Sequence, residues 1–395
     1  MSFRSSVLLL AACQALLLTN GVTLISIGAL AGYALATNKV FATAPAAAYV
    51  IGALVGTFPV SMWMRRVGRR DGFLTGGAFG LAGSALAAYA MHVSSLALLC
   101  MGTMLLGVYN ASGQYYRFAA ADVAPLDFRP KAISYVMAGG LVGGIIGPEV
   151  SKFTRVLAQP MFMATYASLF VFCLIAMALV SRLRLPPQAE AAHEGPARSL
   201  GEIARQPVFL VAAGVSALGY GTMNLLMTAT PLAMGFCGLP YAASATVISS
   251  HVVAMFAPSF FTGSLIKRFG VLQVMLAGAL CEAGCVAVAL CGQLIAHFWI
   301  ALVLLGLGWN FMYIGGTTLL TEAYRPSEKA KVQGANEVAV FSVQAISAFS
   351  SGVLVNSKGW ATLNHVALPL IAIAATAVLW FMARRRSASR LRHPA

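Results

Sequence analysis

Met223 and Met227 lie four residues apart in one apolar stretch, and His251 and Met255 lie four apart in the next; no other M-x-x-x-M or H-x-x-x-M occurs in the chain. On a helix, residues i and i+4 stack on one face, so each pair can aim two ligands at one volume. Thioether sulfur and imidazole nitrogen suit copper, thioether especially Cu(I), whereas Mg²⁺ and Ca²⁺ take the carboxylate and carbonyl oxygens that these four side chains lack. The four residues therefore read as a candidate metal path. Core packing with one hydrogen-bonded histidine competes with that reading, because Met is common here, at 17 residues, and it fills irregular gaps well.

Such ligands need rigid elements to hold them, and the composition says which kind. The chain has 395 residues, of which 59% are hydrophobic and 9% charged, with mean hydropathy +0.81. A soluble domain is about 25% charged. Apolar stretches of about 20 residues, enough to cross the hydrocarbon core as helix, recur throughout. We expect an all-α membrane protein with about twelve spans, near 6–30, 44–64, 72–91, 96–118, 132–153, 160–180, 207–232, 242–266, 271–291, 298–321, 332–355 and 364–383. The first is read as a span and not a leader, since it outruns a signal peptide's 7 to 15 residue apolar core.

With the N-terminus inside, 21 of the 26 Lys and Arg fall on the cytoplasmic side, four (Lys39, Lys152, Arg155 and Lys358) outside, and Arg117 within a span. Positive residues cluster inside in such proteins, so both termini are expected in the cytoplasm. The +15 charge is then topology, and no nucleic-acid partner is expected. The seven cysteines show no C-x-x-C and form neither a disulfide framework nor a zinc ribbon. There is no G-x-x-x-x-G-K-[ST] loop, nucleophile elbow or H-E-x-x-H helix, so neither catalysis nor a resident cofactor is expected.

The longest polar stretch runs from Leu185 to Gln206. It divides the chain into residues 1–185, a linker at 186–206, and residues 207–395, each flank holding six spans. Ser199 with Glu202 reads as a capping box opening a short surface helix, with Pro207 starting the next span. The flanks repeat weakly. Ser61-Met62-Trp63-Met64-Arg65-Arg66-Val67-Gly68 is answered by Gly263-Ser264-Leu265-Ile266-Lys267-Arg268-Phe269-Gly270, and Asn110 and Asp122 by Asn310 and Glu322.

On these residues the whole chain resembles the major facilitator superfamily. Arg65 and Lys267 stand where that family usually carries Asp, and Ser61 where it carries Gly, which puts a charge relay at that loop in doubt. Gly143-x-x-x-Gly147-Pro148 is similar to the superfamily's antiporter motif, though Glu149 to Lys152 breaks its end; it reads mainly as close helix packing. The resemblance implies two pseudo-symmetric six-helix halves rocking around a site near the midplane. Spans 1, 4, 7 and 10 would line it, span 8 border it, and spans 3, 6, 9 and 12 support it.

Counting 1.5 Å per residue from the outer ends places Met223 and His251 both roughly 13 Å deep, with Met227 nearer the outer mouth and Met255 nearer the inner side. Met234 and Cys237, read in the outer loop, are a candidate entry relay. Within the superfamily, Met223-x-x-x-Met227 with His251-x-x-x-Met255 is similar to the signature of CcoA-type copper importers. That resemblance implies copper uptake across the bacterial inner membrane for assembly of a haem-copper cytochrome oxidase, with a periplasmic or cytoplasmic copper chaperone as partner. Carriers of that group lacking the pairs are associated with other substrates, riboflavin among them.

Other polar residues leave a second reading open. Asn110, Gln114 and Tyr115, with Trp309, Asn310 and Tyr313, make an amphipathic lining that fits an organic, riboflavin-like or drug-like solute. Arg117 is a candidate gate or counter-charge, set against snorkelling or pairing with Asp122. Glu337 and Glu149 are candidate proton carriers, or partners of Arg or Lys. Cys281 and Cys285, with Glu282 between them, are either a second metal site or small packing groups. A membrane-embedded metal sensor or assembly factor is the third alternative; it is disfavoured because the linker and C-terminal tail are too short to form a soluble domain.

Overall fold

The computed structural model describes residues 3–125, 128–183, 185, 198–325 and 328–392. All of the regular structure is helical: α1 (Phe3–Leu35), α2 (Ala44–Val67), α3 (Arg69–His92), α4 (Leu96–Gly113), α5 (Tyr116–Val123), α6 (Arg129–Thr154), α7 (Met163–Ser181), α8 (Leu200–Ala204), α9 (Pro207–Phe236), α10 (Tyr241–Phe256), α11 (Ser259–Phe269), α12 (Val271–Cys291), α13 (Ile295–Leu320) and α14 (Lys329–Arg392), with a short 3₁₀ turn at Lys39–Phe41. A chain that crosses hydrocarbon must satisfy its backbone internally, and helices do so within one segment.

Among the described residues nine helices are long and apolar enough to cross a membrane, ten when the bent pair α10–α11 counts as one. The last of these, Lys331–Ser387, is 57 residues long and is broken at Gly359, whose φ of 82° interrupts the helix, so it supplies two rods. With α6, 26 residues packed along α1, the bundle has twelve rods, as the sequence pattern leads one to expect.

Several boundaries differ from the expected ones. The fourth span is divided at Gln114 and Tyr115 into α4 and α5, the eighth bends by 44° between α10 and α11, and the last runs on to Arg392. That extension carries Arg384 over the Trp380 ring and Arg385 over Phe381, with both arginines exposed on the continuing helix. Most of the linker, 186–197, lies outside the described residues. Its C-terminal part does form the expected capping box: Glu202 N donates to Ser199 Oγ at 3.2 Å, and Ser199 N to Glu202 Oε2 at 3.3 Å.

Each half has its own core. One cluster is drawn from residues between Val7 and Leu183, the other mainly from residues between Ile203 and Phe381. The repeated basic loops match in backbone as well as in letters: Gly68 (φ 86°, ψ 162°) and Gly270 (φ 92°, ψ 151°) adopt the same left-handed conformation, which glycine takes without a Cβ penalty. Gly143 and Gly147 act as packing residues, since a Cβ on Gly143 would lie 2.3 Å from Ala15 O on α1, and Thr23 Oγ1 donates to Gly147 O at 2.9 Å. Large apolar side chains such as Phe58, Phe153, Leu280 and Ile346 remain exposed on the outside, as a lipid-facing surface requires.

Among the described residues, the side-chain hydrogen bonds between halves cluster at the end away from the basic loops. Tyr241 OH bonds Ser151 Oγ at 2.6 Å, Lys152 Nζ donates to Thr246 Oγ1 at 3.1 Å, and Gly352 N donates to Thr43 Oγ1 at 3.1 Å. At the basic end the ion pairs stay within a half: Arg69 with Asp122 at 2.8 Å, and Arg385 with Glu322. The described hydrogen bonds between the halves thus latch the end opposite the basic loops.

Arg198, just after the undescribed part of the linker, ties it to the second half. Its Nε and Nη2 donate to Glu328 Oε1 and Oε2 at 2.8 and 2.6 Å, and Arg325 N adds a bond at 3.0 Å. The Arg198 guanidinium, then these backbone donors, hold the Glu328 carboxyl well below its usual range. A carboxyl depressed by folding adds stability above its unfolded value, and that stability is lost as pH falls through the folded value. Arg198→Gln should therefore lower the thermal midpoint of detergent-purified protein by a few degrees at neutral pH, and the difference should shrink as the buffer is taken into the acid range.

Candidate functional site

α9 carries the first methionine pair, and it is enclosed: Met223, Met227 and Met234 are 1%, 4% and 0% exposed. Met223 and Met227, one turn apart, both face a central cavity of about 180 Å³, and Met255 of α10 joins them in its wall. His251 does not. Its ring is fully buried, and Nδ1 sits 2.7 Å from Leu302 O on α13, while Nε2 has no partner. Successive i, i+4 positions drift by about 40° around a helix, and here that drift falls at the boundary between faces. Val252, Met255 and Phe256 look into the cavity, whereas His251 is against α13, where Gly306 packs under its carbonyl.

The sharp bend beside Met255 depends on Asn310. Pro258 has no N–H to donate, α10 ends at Phe256, and α11 starts at Ser259. Asn310 Nδ2 donates to the freed Met255 O at 2.6 Å and to Ser259 Oγ at 2.8 Å, and Thr262 Oγ1 donates to Asn310 Oδ1 at 2.6 Å. Asn310, expected in the lining, is instead the pin that satisfies this break, fully buried and outside the cavity wall. Tyr115 is likewise absent from the wall, because the α4–α5 break turns it toward Phe118. Met234 is not in a loop: α9 continues a full turn past the expected end and buries it, while Cys237 caps that helix and donates Sγ–H to Gln293 at 3.2 Å.

Several expected residues do meet at the cavity. Asn110, Gln114 and Arg117 reach it from α4 and α5, Trp309 and Tyr313 from α13, and Glu337 from α14. Arg117 is not paired with Asp122, which Arg69 takes; its guanidinium lies 5.0 Å from the Phe118 ring centroid. Tyr313 OH donates to Glu337 Oε1 at 3.4 Å. Glu149, by contrast, is held by Lys152 at 2.5 Å. Among the described residues no three His, Cys, Asp or Glu side chains gather as a metal cluster. Cys285 is buried, and the neighbouring Glu282 is fully buried with neither oxygen hydrogen-bonded.

Trp309 and Tyr313, expected in the lining, are joined there by Tyr220, Asn224 and Tyr49, which were not singled out from the sequence. Trp309 and Tyr313 stack at 5.1 Å and 14°, and Tyr220 of α9 stands edge-on to both, at 5.2 and 5.3 Å. Asn224, whose Nδ2 donates to Gln344 O at 2.8 Å, and Tyr49 complete the polar side. Only their status as polar residues inside apolar spans hinted at them. Among the described residues, α3, α7, α12 and the part of α14 beyond Gly359 contribute nothing to the wall. These are the third, sixth, ninth and twelfth rods, the supports that the resemblance implied.

Comparison with known proteins agrees with this architecture. The chain is 38% identical over 374 residues to the riboflavin transporter RfnT of Brucella anthropi, covering 94% of each, and 28% identical to the uncharacterized MFS-type transporter YddS of Bacillus subtilis, covering 91% of this chain and 87% of that one. It superposes on a D-xylose–proton symporter with TM-score 0.75 at 14% identity, covering 96% and 97% of the two chains, and on a partially occluded inward-open form of the xylose transporter XylE from E. coli with TM-score 0.72 at 12% identity and the same coverage. The Major Facilitator Superfamily profile matches residues 7–270 and 218–395. With twelve rods around one cavity, matching basic loops and full-length relatives of the same kind, this chain belongs to the major facilitator superfamily, as a multi-pass membrane carrier and not an enzyme.

Proposed function

We propose that this carrier takes up a planar, aromatic organic solute of the riboflavin class. The observation that carries the reading is the Tyr220, Trp309 and Tyr313 cluster standing beside Asn110, Gln114 and Asn224 in one cavity. Ring faces and edges bind a flat π-system through offset-stacked and edge-to-face contacts, and a few fixed amides orient its polar rim. The name of the relative at 38% identity supports the same class. The basic end is taken as cytoplasmic, by the positive-inside rule, in a bacterial inner membrane. The latched far end then faces outward, so the cavity stands ready to release cargo inward.

Copper import, serving oxidase assembly and fed by a copper chaperone, is the second reading, and a specific observation favours it: Met223, Met227 and Met255 place three thioethers in the same wall. Sulfur of this kind selects Cu(I), and the buried His251 of α10 keeps Nε2 without a hydrogen-bond partner among the described residues. Size favours it too. About 180 Å³ is below the roughly 300 Å³ of a site enclosing a drug-sized ligand, so a flavin needs the walls to part further, while a single cation does not. Against it, His251 uses Nδ1 on Leu302 and lies outside the wall.

Purified protein in proteoliposomes separates the two. On the first reading riboflavin is taken up, and Trp309→Ala cuts the rate about tenfold or more, in keeping with the roughly 1–3 kcal/mol that ring-stacking anchors carry; copper does not move. On the second, ⁶⁴Cu is taken up under reducing conditions, Met223→Leu abolishes it, and riboflavin is inert. His251→Ala tests the packing role by itself. In metal-free protein it should cost about 1–3 kcal/mol, the range for a lost buried hydrogen bond, visible as a lower calorimetric midpoint. An unchanged midpoint would mean the Leu302 bond contributes nothing.

A further inference from the structure

Beyond Gly359, the twelfth rod buries Leu363, Ala367, Ile371, Ala374, Val378 and Phe381 in the second core. These lie three or four residues apart, so one helical face is held by protein. Ile373 and Trp380, 57% and 50% exposed, are seven residues apart on another face, the stripe that meets lipid. The sixth rod, its counterpart in the first half, ends at Ser181. The twelfth runs on as helix through Arg384-Arg385-Arg386-Ser387-Ala388-Ser389-Arg390-Leu391-Arg392, with five arginines and no acid in nine residues. Those nine add about 13 Å of rod.

Helical phase sorts the arginines. Arg385 follows Phe381 by four residues and Val378 by seven, on the core face; it lies over the Phe381 ring and pairs with Glu322 at the end of α13. Arg384 follows Trp380 by four, on the lipid stripe. Its guanidinium lies 5.6 Å from the Trp380 ring centroid, and among the described residues no carboxylate pairs with it. A helical side chain leans toward the N-terminus of its helix, which here is toward the bilayer. The charge is therefore set at headgroup depth, above a half-exposed indole of the kind that anchors helices at the interface. A second arginine stands over an exposed aromatic ring at the same end, where Arg268 lies 5.2 Å from the centroid of Phe269, itself 53% exposed. Compensation of the helix dipole does not explain the placement of the run. That effect falls off within the last turn, and Arg384, Arg385 and Arg386 all stand six or more residues before Arg392.

We propose that the basic extension of the twelfth rod is a docking surface for anionic phospholipid headgroups, phosphatidylglycerol or cardiolipin, in the leaflet at the basic end, with Arg384 over Trp380 as its binding point. A guanidinium offers two parallel N–H donors to a phosphate, and the indole beneath it packs on the glycerol and the first acyl carbons. A zwitterionic lipid also carries a phosphate, but its cationic group is repelled by the neighbouring Arg385 and Arg386, so the run selects net negative charge. The surface lies outside the cavity and serves the carrier with either cargo.

The test uses full-length protein in phosphatidylcholine vesicles holding a minority of phosphatidylglycerol, with bromine on the acyl chains of one lipid or the other. The fluorescence quenching lost on Trp380→Phe isolates the signal at that ring. Brominated phosphatidylglycerol should quench Trp380 beyond its share of the lipid, and added salt should reduce the excess. An arginine near an anionic surface is worth about fivefold in binding, so Arg384→Gln should lower the preference for phosphatidylglycerol about fivefold. Arg384→Lys, which keeps the charge without the fork, should keep part of it, and Lys358→Gln, at the far end, should leave it unchanged. Quenching in simple proportion to lipid composition in wild type overturns the proposal and leaves the arginines as topology signals alone. An undiminished preference in Arg384→Gln overturns it too, and so does loss of the preference to inorganic phosphate at constant ionic strength, the mark of a site for free anions. Should Arg384→Gln not reconstitute, Arg384→Lys decides: a reduced preference supports the assignment and a wild-type one overturns it.

Discussion

A backbone carbonyl freed inside the bilayer has no water to bond, and one amide, Asn310, supplies what Met255 O lacks where the eighth rod bends. The bend it permits points Met255, Val252 and Phe256 into the cavity while α11 carries the matching basic loop away at 44°. His251, one turn above, is drawn onto α13 by the Leu302 carbonyl. α13 therefore holds α10 at both members of the second ligand pair, and it contributes Trp309 and Tyr313 to the wall as well. Which side chains of α10 line the cavity is decided by what α13 must satisfy.

The same constraint explains how the halves relate. Small residues bring backbones close within each half, as where Gly143 meets Ala15, and each core is drawn mainly from one half, with Val22, Ala29 and Ala42 of the first half joining the second core. Between the halves α6 packs on α10 and α2 on α14, as where a Cβ on Gly144 would lie 2.4 Å from Val252, and polar and ring contacts such as Tyr241 to Ser151 and Tyr33 against Phe236 add to that packing at one end. Apolar packing gives no great preference between protein and lipid inside a membrane, so the polar latches at that end add specificity to the helix packing that joins the halves. The charges at the basic end, Arg69 with Asp122 and Arg385 with Glu322, are kept within each half and leave that end free to part.

The sequence by itself determined the twelve rods, the sidedness expectation, the repeated loop at Gly68 and Gly270, the capping box at Ser199, and the presence of Met223, Met227 and Met255 on inward faces. Each follows from a local rule: hydrocarbon thickness sets length, a glycine without Cβ takes the left-handed turn, and helical periodicity groups side chains by face. What only the tertiary structure decided is where a face ends and which neighbour claims a polar group. His251 and Met255 share a helical spacing, yet one bonds α13 and the other lines the cavity; Asn310 and Asn110 occupy repeated positions, yet one pins a bend and the other lines the wall. A buried polar atom takes the nearest partner that lowers its desolvation cost, and that partner lies on another helix, far away in the chain.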